Sequence, residues 1–256
     1  MSADAGTWDR FWSSKDELEA VYRSSPRVLR ALLDHLPPGG RRVLEIGAGT
    51  GRDTAELARQ GLHCVALDAS PEAWRLTARA EPALRGRGIV GGDAFHLPFP
   101  DAVFDAVFHQ GVLEHFGNPD AFLRENRRVT RPGGVLVVDV PQTWHPWTLL
   151  KRLALRTDRW FAGWETEFTI HELETRVRES GYEVVSTYGD WMVPSLAYRL
   201  TREAGRKAGL RLPLEPRGPE PIGHARRALR ERLLAPRAAR YVAHTIGVVA
   251  RRPERS

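Results

Sequence analysis

The chain has 256 residues, 42% of them apolar and 27% charged, which suits one large domain with a packed core and excludes global disorder. Its net charge of +6 is unevenly placed: residues 199–240 carry twelve Lys/Arg against four Glu, so the remaining chain sums to −2 and is not a basic protein throughout. The single cysteine excludes an internal disulfide, no stretch holds the roughly 18 apolar residues of a spanning helix, and no cationic leader with an apolar core opens the chain, so the expected location is cytoplasmic.

Residues 15–36 show apolar residues at helical spacing, and Pro26 divides them into two expected helices. Pro37, Pro38, Gly39 and Gly40 stop the second, and RVLEI follows as a short apolar strand. GAGTGRD is a turn, TAELARQ a helix ended by Gly61, and HCVALD the next strand, in which Cys64 reads as a core thiol. SPEAWRLTARA opens with a serine cap and a proline at the first helical position. GRGIVGGDA holds a short strand ending near Asp93, FHLPFP is a loop, and AVFDAVFHQ is strongly β-like. NPDAFLRENRRVT is a helix stopped by RPGG, and VLVVDV is a strand with both faces buried. This alternation predicts right-handed crossovers and a parallel sheet.

After residue 140 the pattern changes. Residues 141–168 contain Trp144, Trp147, Trp160 and Trp164 and no clear strand. TIHELETRVRESG is a helix capped by Thr169, and YEVVSTYGD is a strand. Residues 189–240 form a long insertion rich in Arg, Pro and Gly, with one helix expected from about Ala225 to Leu234, and YVAHTIGVVARR reads as a last strand.

The turn VLEIGAGTGRDT carries Gly47, Gly49 and Gly51. The dinucleotide pattern G-x-G-x-x-G needs glycine at the position of Arg52, and the triphosphate loop needs a lysine that is absent. Three acids, Glu45, Asp68 and Asp93, stand at or near the carboxyl ends of successive expected strands, where open α/β sheets bind ligands. An acid in the place of Asp68 can accept both ribose hydroxyls of an adenosine-containing ligand.

With VALDAS, GGDAFHLPFPDAVFDAVFHQGVLEHF and RPGGVLVVDVP, the turn resembles the successive motifs of class I S-adenosylmethionine-dependent methyltransferases, and is most similar to the small-molecule group called methyltransferase type 11. The resemblance covers roughly residues 40–190 and the last strand near 241–250. It implies an α/β, doubly wound, mostly parallel seven-stranded sheet with an antiparallel last strand. It divides the chain into an N-terminal helical lid (1–38), a cofactor-binding core (39–140), a substrate-side lid insertion and helix (141–180) and the rest of the sheet with its basic insertion (181–256).

It also implies roles. Gly47, Ala48 and Gly49 would lie against the methionine part of S-adenosyl-L-methionine, and Asp68 with Ala69 against its ribose. Asp93, Ala94 and Phe95 would meet the adenine, and Gln110 and Gly111 the sulfonium end. Glu45 would hold the turn or the cofactor's ammonium. No metal is implied. Trp8, Phe11, Trp12 and Tyr22 are expected to cover the cofactor.

The acceptor is harder to read. HQGV stands where methyltransferases of nucleobase amines carry Asn/Asp-Pro-Pro-aromatic, so a nucleic acid is disfavoured and a small molecule expected. A hydroxyl is the favoured acceptor, on a natural-product or lipid-like compound, with nitrogen or carbon as alternatives. His115 and His145 are the expected acceptor-site histidines, His109 is a further strand-end candidate, and His171 is expected at the surface. Trp144, Trp147, Trp160, Phe161, Trp164 and Phe168 form a lid core, an acceptor pocket, or both. In ARRALRERLL, Leu229, Leu233 and Leu234 share a face opposite arginines, a pattern that suits peripheral membrane contact through residues 225–240. The less favoured activities are an RNA- or membrane-binding protein on this fold and a nicotinamide-dependent oxidoreductase.

Overall fold

The computed structural model describes residues 5–13, 26–81, 84, 88–156, 165–210, 212–213, 223, 228–229, 232–234 and 236–254. Its elements run α1 (Ala5–Ser13), α2 (Pro26–His35), β1 (Arg42–Ile46), α3 (Arg52–Arg59), β2 (His63–Asp68), α4 (Pro71–Ala80), β3 (Ile89–Gly91) and β4 (Phe104–Gln110). A 3-10 turn at Leu113–His115 follows, then α5 (Pro119–Val129), β5 (Thr130–Pro141), α6 (Pro146–Arg156), α7 (Ile170–Glu179), β6 (Glu183–Asp190), α8 (Leu196–Lys207) and β7 (Thr245–Arg251).

The strands form one seven-stranded sheet in the order β3-β2-β1-β4-β5-β7-β6. β1 to β5 pair in parallel, and β7 runs antiparallel to both β5 and β6. This is the architecture that the resemblance implies, and its parallel part is the one the alternating pattern predicts. The central strands are buried on both faces, which is why they read as continuous apolar runs. One face packs Leu44, Ile46, Phe122, Leu136 and Leu173 into the larger core; the other packs Val43, Phe108 and Val137 against Val28, Leu29 and Leu32 of α2.

Local chemistry sets the helix starts. Ser70 accepts from the Ala73 N–H with Pro71 at the first position, and Asn118 accepts from the Ala121 N–H ahead of Pro119. Thr169 and Glu172 form a reciprocal capping box at α7. Thr169→Ala removes one of its two arms, so it is expected to destabilise the fold by about 1 kcal/mol; a urea melt checks this, and an unchanged midpoint contradicts it.

Several expectations are corrected. The first of the two helices expected over 15–36, with Tyr22, lies outside the described residues, as do Trp160, Phe161 and Trp164. β3 ends at Gly91, so Asp93 lies in the loop beyond, where it bridges to His96. The last strand starts at Thr245, because Arg237–Tyr241 winds into a 3-10 turn. α6 and α8 are not among the expected helices, and α1 falls in the segment 1–38 for which the resemblance implies a helical lid, without having been located from the residues. Of residues 225–234, positions 228, 229 and 232–234 are described and helical. There Leu229 and Leu233 are exposed, but Leu234 is buried in the main core, so the three leucines do not form one outward apolar face. Among the described residues no helix is long and apolar enough to cross a membrane.

Candidate active site

The glycine turn sits where β1 hands the chain to α3. Gly47, Gly49 and Gly51 have φ of +68°, +51° and +64°, the left-handed region that other residues enter only with strain. Space excludes a side chain as well: a Cβ at Gly47 would stand 2.5 Å from a Val112 methyl, and one at Gly49 2.6 Å from the Trp12 indole. The N–H groups of Gly47 and Ala48 both donate to the Leu67 carbonyl at 2.8 and 3.1 Å, which pins the turn to the end of β2.

Glu45, next to last in β1, is buried and accepts from both the backbone N–H and the hydroxyl of Thr54 in the first turn of α3. It therefore holds the turn onto the helix. Burial, then the nearby Asp53, raises its carboxyl well above the ordinary range, and the Thr54 bonds work the other way.

Asp68 closes β2. Its carboxylate accepts the Gly49 N–H at 2.9 Å through one oxygen and the Ser70 N–H at 2.9 Å through the other. Its own carbonyl accepts the Trp74 indole N–H at 2.7 Å. Burial raises its proton affinity, and the N–H groups of Ser70, Gly49 and Ala69 oppose that rise. Asp68 is thus the joint between glycine turn and second strand.

The third acid differs from the other two. Asp93 is exposed; it accepts the Phe95 N–H at 2.9 Å and pairs with His96 at 2.8 Å. Partial burial tends to raise its proton affinity, but these bonds outweigh it and set the carboxylate below its ordinary value. Ala94 and Phe95 are half-buried, and the Phe95 ring packs edge-on against Phe116 at 4.7 Å between centroids. Gln110 ends β4, and Gly111 beyond it, with φ +65°, donates its N–H to the Asp139 carbonyl at 2.9 Å.

α1 lies over these ends. Trp12 covers Gly49, the Trp8 ring stands edge-on to His115 at 4.8 Å, and Asp9 accepts from the Ser70 hydroxyl.

The histidines separate into distinct settings. His109 is fully buried on the Phe122 side, its ring 4.8 Å from that phenyl, and burial pushes its pKa down to about 3; it is a neutral core residue away from the turn. His115 is buried in the turn after β4, and burial holds it at about 4. His145 is buried after β5, accepts the Trp147 N–H at 3.2 Å and packs edge-on against His244 at 5.0 Å. Burial lowers both members of that pair. His171 is exposed, as expected. Cys64 is half-buried and its thiol is pushed up to about 12 by burial, which leaves it inert.

Sequence reasoning missed the charged group beside His115. Glu114 is buried, with one carboxyl oxygen lacking a hydrogen-bond partner, and its other oxygen is 3.5 Å from where a Gly111 Cβ would be. Burial first and Glu165 second push it up to about 8. Lys151 of α6 and Glu165 form a buried ion pair alongside, and the Thr166 N–H donates to the Glu114 carbonyl at 2.6 Å. The neighbouring cleft, about 500 Å³, is walled by Trp144, Arg152, Glu167 and Glu172, with the Arg152 guanidinium 5.8 Å from the Trp144 ring. The only sequence signal for Glu114 is its place beside His115 in GVLEHF.

Comparison with known proteins agrees with this geometry. Residues 44–138 match the family model described as a methyltransferase domain. The demethylmenaquinone methyltransferase of Mycobacterium bovis is 46% identical over 99 residues, which cover 39% of this chain and 40% of that protein. The enzyme of the same name from Beutenbergia cavernae is 42% identical over 131 residues, 50% of this chain and 53% of that one. The chain thus matches about half or less of the length of these relatives.

Two solved structures share the fold. Phosphoethanolamine N-methyltransferase 2 of Haemonchus contortus, in complex with S-adenosylmethionine, superposes with a TM-score of 0.60 at 18% identity over 97% of this chain and 57% of that one. The 1,6-didemethyltoxoflavin-N1-methyltransferase of Burkholderia thailandensis, with S-adenosylhomocysteine bound, gives 0.55 at 20% identity over 97% and 88%. Residues 44–138 thus match a methyltransferase domain, and the seven-stranded sheet with its one reversed strand is the fold that the chain shares with these two solved structures.

Proposed function

We propose that the protein moves the methyl group of S-adenosyl-L-methionine to a hydroxyl of a ring-bearing or lipid-like small molecule. The observation that carries the cofactor assignment is Asp68, bonded to Gly49 across the turn with both oxygens facing backbone donors. A carboxylate there suits a ribose diol, and the turn offers no lysine for a triphosphate. When bound, the sulfonium supplies an activated methyl and a good leaving group, so the protein chiefly aligns the acceptor.

In this reading Gly47, Ala48 and Gly49 cradle the methionine part, with Glu45 fixing the turn from below. Asp68 and Ala69 meet the ribose, Asp93, Ala94 and Phe95 the adenine edge, and Gln110 and Gly111 the sulfonium. His115 and His145 lie on the acceptor side. Both are biased by burial to the neutral form; His115 Nδ1 can accept from an acceptor hydroxyl, whereas the His145 lone pair already takes the Trp147 N–H, so His145 can only donate its Nε2–H to an acceptor oxygen. The name of the Mycobacterium and Beutenbergia relatives supports a ring-bearing, lipid-like acceptor. The acidic, tryptophan-walled cleft favours a second reading, an amine acceptor.

Isothermal titration separates the cofactor classes: S-adenosylhomocysteine is expected to bind and NAD not, and the reverse overturns the assignment. S-adenosylhomocysteine formation is then followed with reduced demethylmenaquinone, simple phenols and primary amines. Turnover of amines alone replaces the hydroxyl reading by the second one.

A further inference from the structure

Three strands meet in one row at the carboxyl edge of the sheet. Pro141, last in β5, pairs with Thr245, first in β7, and Thr245 pairs with Asp190, last in β6. Three residues out from each anchor stands an exposed apolar side chain: Trp144 beyond β5, Val242 ahead of β7 and Val193 beyond β6, at 55%, 54% and 50% exposure. Neighbouring strands lie about 4.8 Å apart, so the three segments leave the sheet side by side. Among the described residues, every large exposed apolar side chain except Leu33 and Val185 belongs to residues 144–150 or 193–242. Single exposed apolar residues are ordinary, but their gathering at one end of a molecule marks an interaction surface.

α8 extends this end with its apolar side outwards. A surface helix normally buries that side. α8 buries none of its residues; Ala197, Leu200 and Ala204, with Ala208 at its cap, follow at spacings of three and four and are exposed, Leu200 at 56%. The side turned to the protein is polar instead. There the Arg199 guanidinium donates to the Val193 and Pro194 carbonyls, Arg202 to the Leu212 carbonyl, and the Tyr198 hydroxyl to the Pro213 carbonyl. α8 also flanks the acceptor side of the sheet: His244, edge-on to His145, feels the charges of both Arg199 in α8 and Lys151 in α6.

Charge decides what covers this surface. α8 carries Arg199, Arg202, Arg206 and Lys207 against Glu203. The carboxylates of the cleft beside Trp144 are compensated, Glu167 by Arg152, Glu165 by Lys151 and Glu172 by the N–H and hydroxyl of Thr169. A second copy docked through the same face would set the cations of α8 against themselves. Apolar tips from separate segments, interleaved with cations on long stems, suit a lipid surface: the tips enter the headgroup layer while the cations meet its anions.

We propose that Trp144, Val193, Leu200 and Val242, with the cations of α8, form a docking face for an anionic lipid membrane. The contact expected of residues 225–240 thus moves to α8 and the strand ends beside it, and it stands apart from the identity of the acceptor.

Co-sedimentation of the full chain with vesicles tests this. Vesicles of phosphatidylcholine and phosphatidylglycerol in equal parts are expected to hold the protein at least tenfold more tightly at low salt than phosphatidylcholine alone, and high salt should remove most of that advantage. Val193→Glu combined with Leu200→Glu is expected to weaken binding to the mixed vesicles at least tenfold. Both residues are exposed, so the urea midpoint should stay that of wild type. Leu33→Glu, exposed in α2 on the approach to β1, should bind as wild type does. Arg206→Gln combined with Lys207→Gln should bind at least threefold more weakly at low salt. No binding to the mixed vesicles, equal binding to both kinds, or wild-type binding by either double variant overturns the proposal, as does an equal loss in Leu33→Glu. A dimer in sedimentation velocity that Val193→Glu with Leu200→Glu abolishes, without vesicle binding, gives the face to a second copy instead. S-adenosylhomocysteine binding is no part of the readout, so a failure of the methyltransferase reading is seen separately.

Discussion

Replacing Asp68 by alanine is expected to weaken S-adenosylhomocysteine binding by at least tenfold, about 1.5 kcal/mol or more, because a charged hydrogen-bond partner is lost. The carboxylate does two things at once. It receives the Gly49 and Ser70 N–H groups at 2.9 Å each, so it shapes the turn, and in the proposed complex it meets the ribose. Charge-assisted bonds of this kind are worth about 1.5–3 kcal/mol each when buried. Alanine should therefore also destabilise the fold by about 2 kcal/mol. Asparagine keeps one acceptor and fills the space, so it should fall between. Titration calorimetry with S-adenosylhomocysteine and a urea melt read the two effects separately. A destabilised variant with unchanged affinity would leave Asp68 a purely structural residue and remove the ribose assignment.

How far the sequence reached depends on the distance over which each feature is decided. β1 to β5, the caps at Ser70 and Thr169 and the turn at Gly47–Gly51 are written in neighbouring residues, and they were legible. α1 was not, because AGTWDRFWS makes sense only once docked: Trp8 meets His115 and Trp12 meets Gly49, far along the chain. α8 buries no residue, so no apolar stripe announced it; its Ser195 cap and the bonds from Arg199 to the Val193 and Pro194 carbonyls define it locally. Asp93 shows a slip of boundary instead. It was expected to end the third strand, but β3 stops two residues earlier and leaves it in the loop beyond, beside His96. Glu114 and Asp139 were hidden for a third reason. Their importance comes from burial among Glu165, Lys151, Gln110 and Tyr188, and only the folded chain brings these together.

The same two carboxyls set the largest expected dependence of stability on pH. Glu114 and Asp139 are both pushed up to about 8, chiefly by burial, from ordinary values of 4.5 and 3.8. The folded state therefore keeps two protons that the unfolded chain has already released. A raised carboxyl contributes stability that is complete below the unfolded value and is lost as pH rises through the folded one. The window thus runs from about pH 4 to about pH 8, and the loss is on the order of 5 kcal/mol per group. The buried histidines His109, His115 and His244 act with the opposite sign. Their lowered values add stability as pH rises towards 6.5, so the wild-type curve alone mixes the two effects. The difference between wild type and Glu114→Gln separates them, since glutamine keeps the shape and never ionises. At pH 4.5 the two proteins should be nearly equally stable; at pH 9 the variant should be more stable by about 4 kcal/mol. Asp139→Asn should behave alike and independently. Urea unfolding at pH 4.5, 7 and 9 provides the measurement. A glutamine variant less stable than wild type at pH 9 would mean that the Glu114 carboxylate is ionised and held by Lys151, and its neutral form would then have no part in the site.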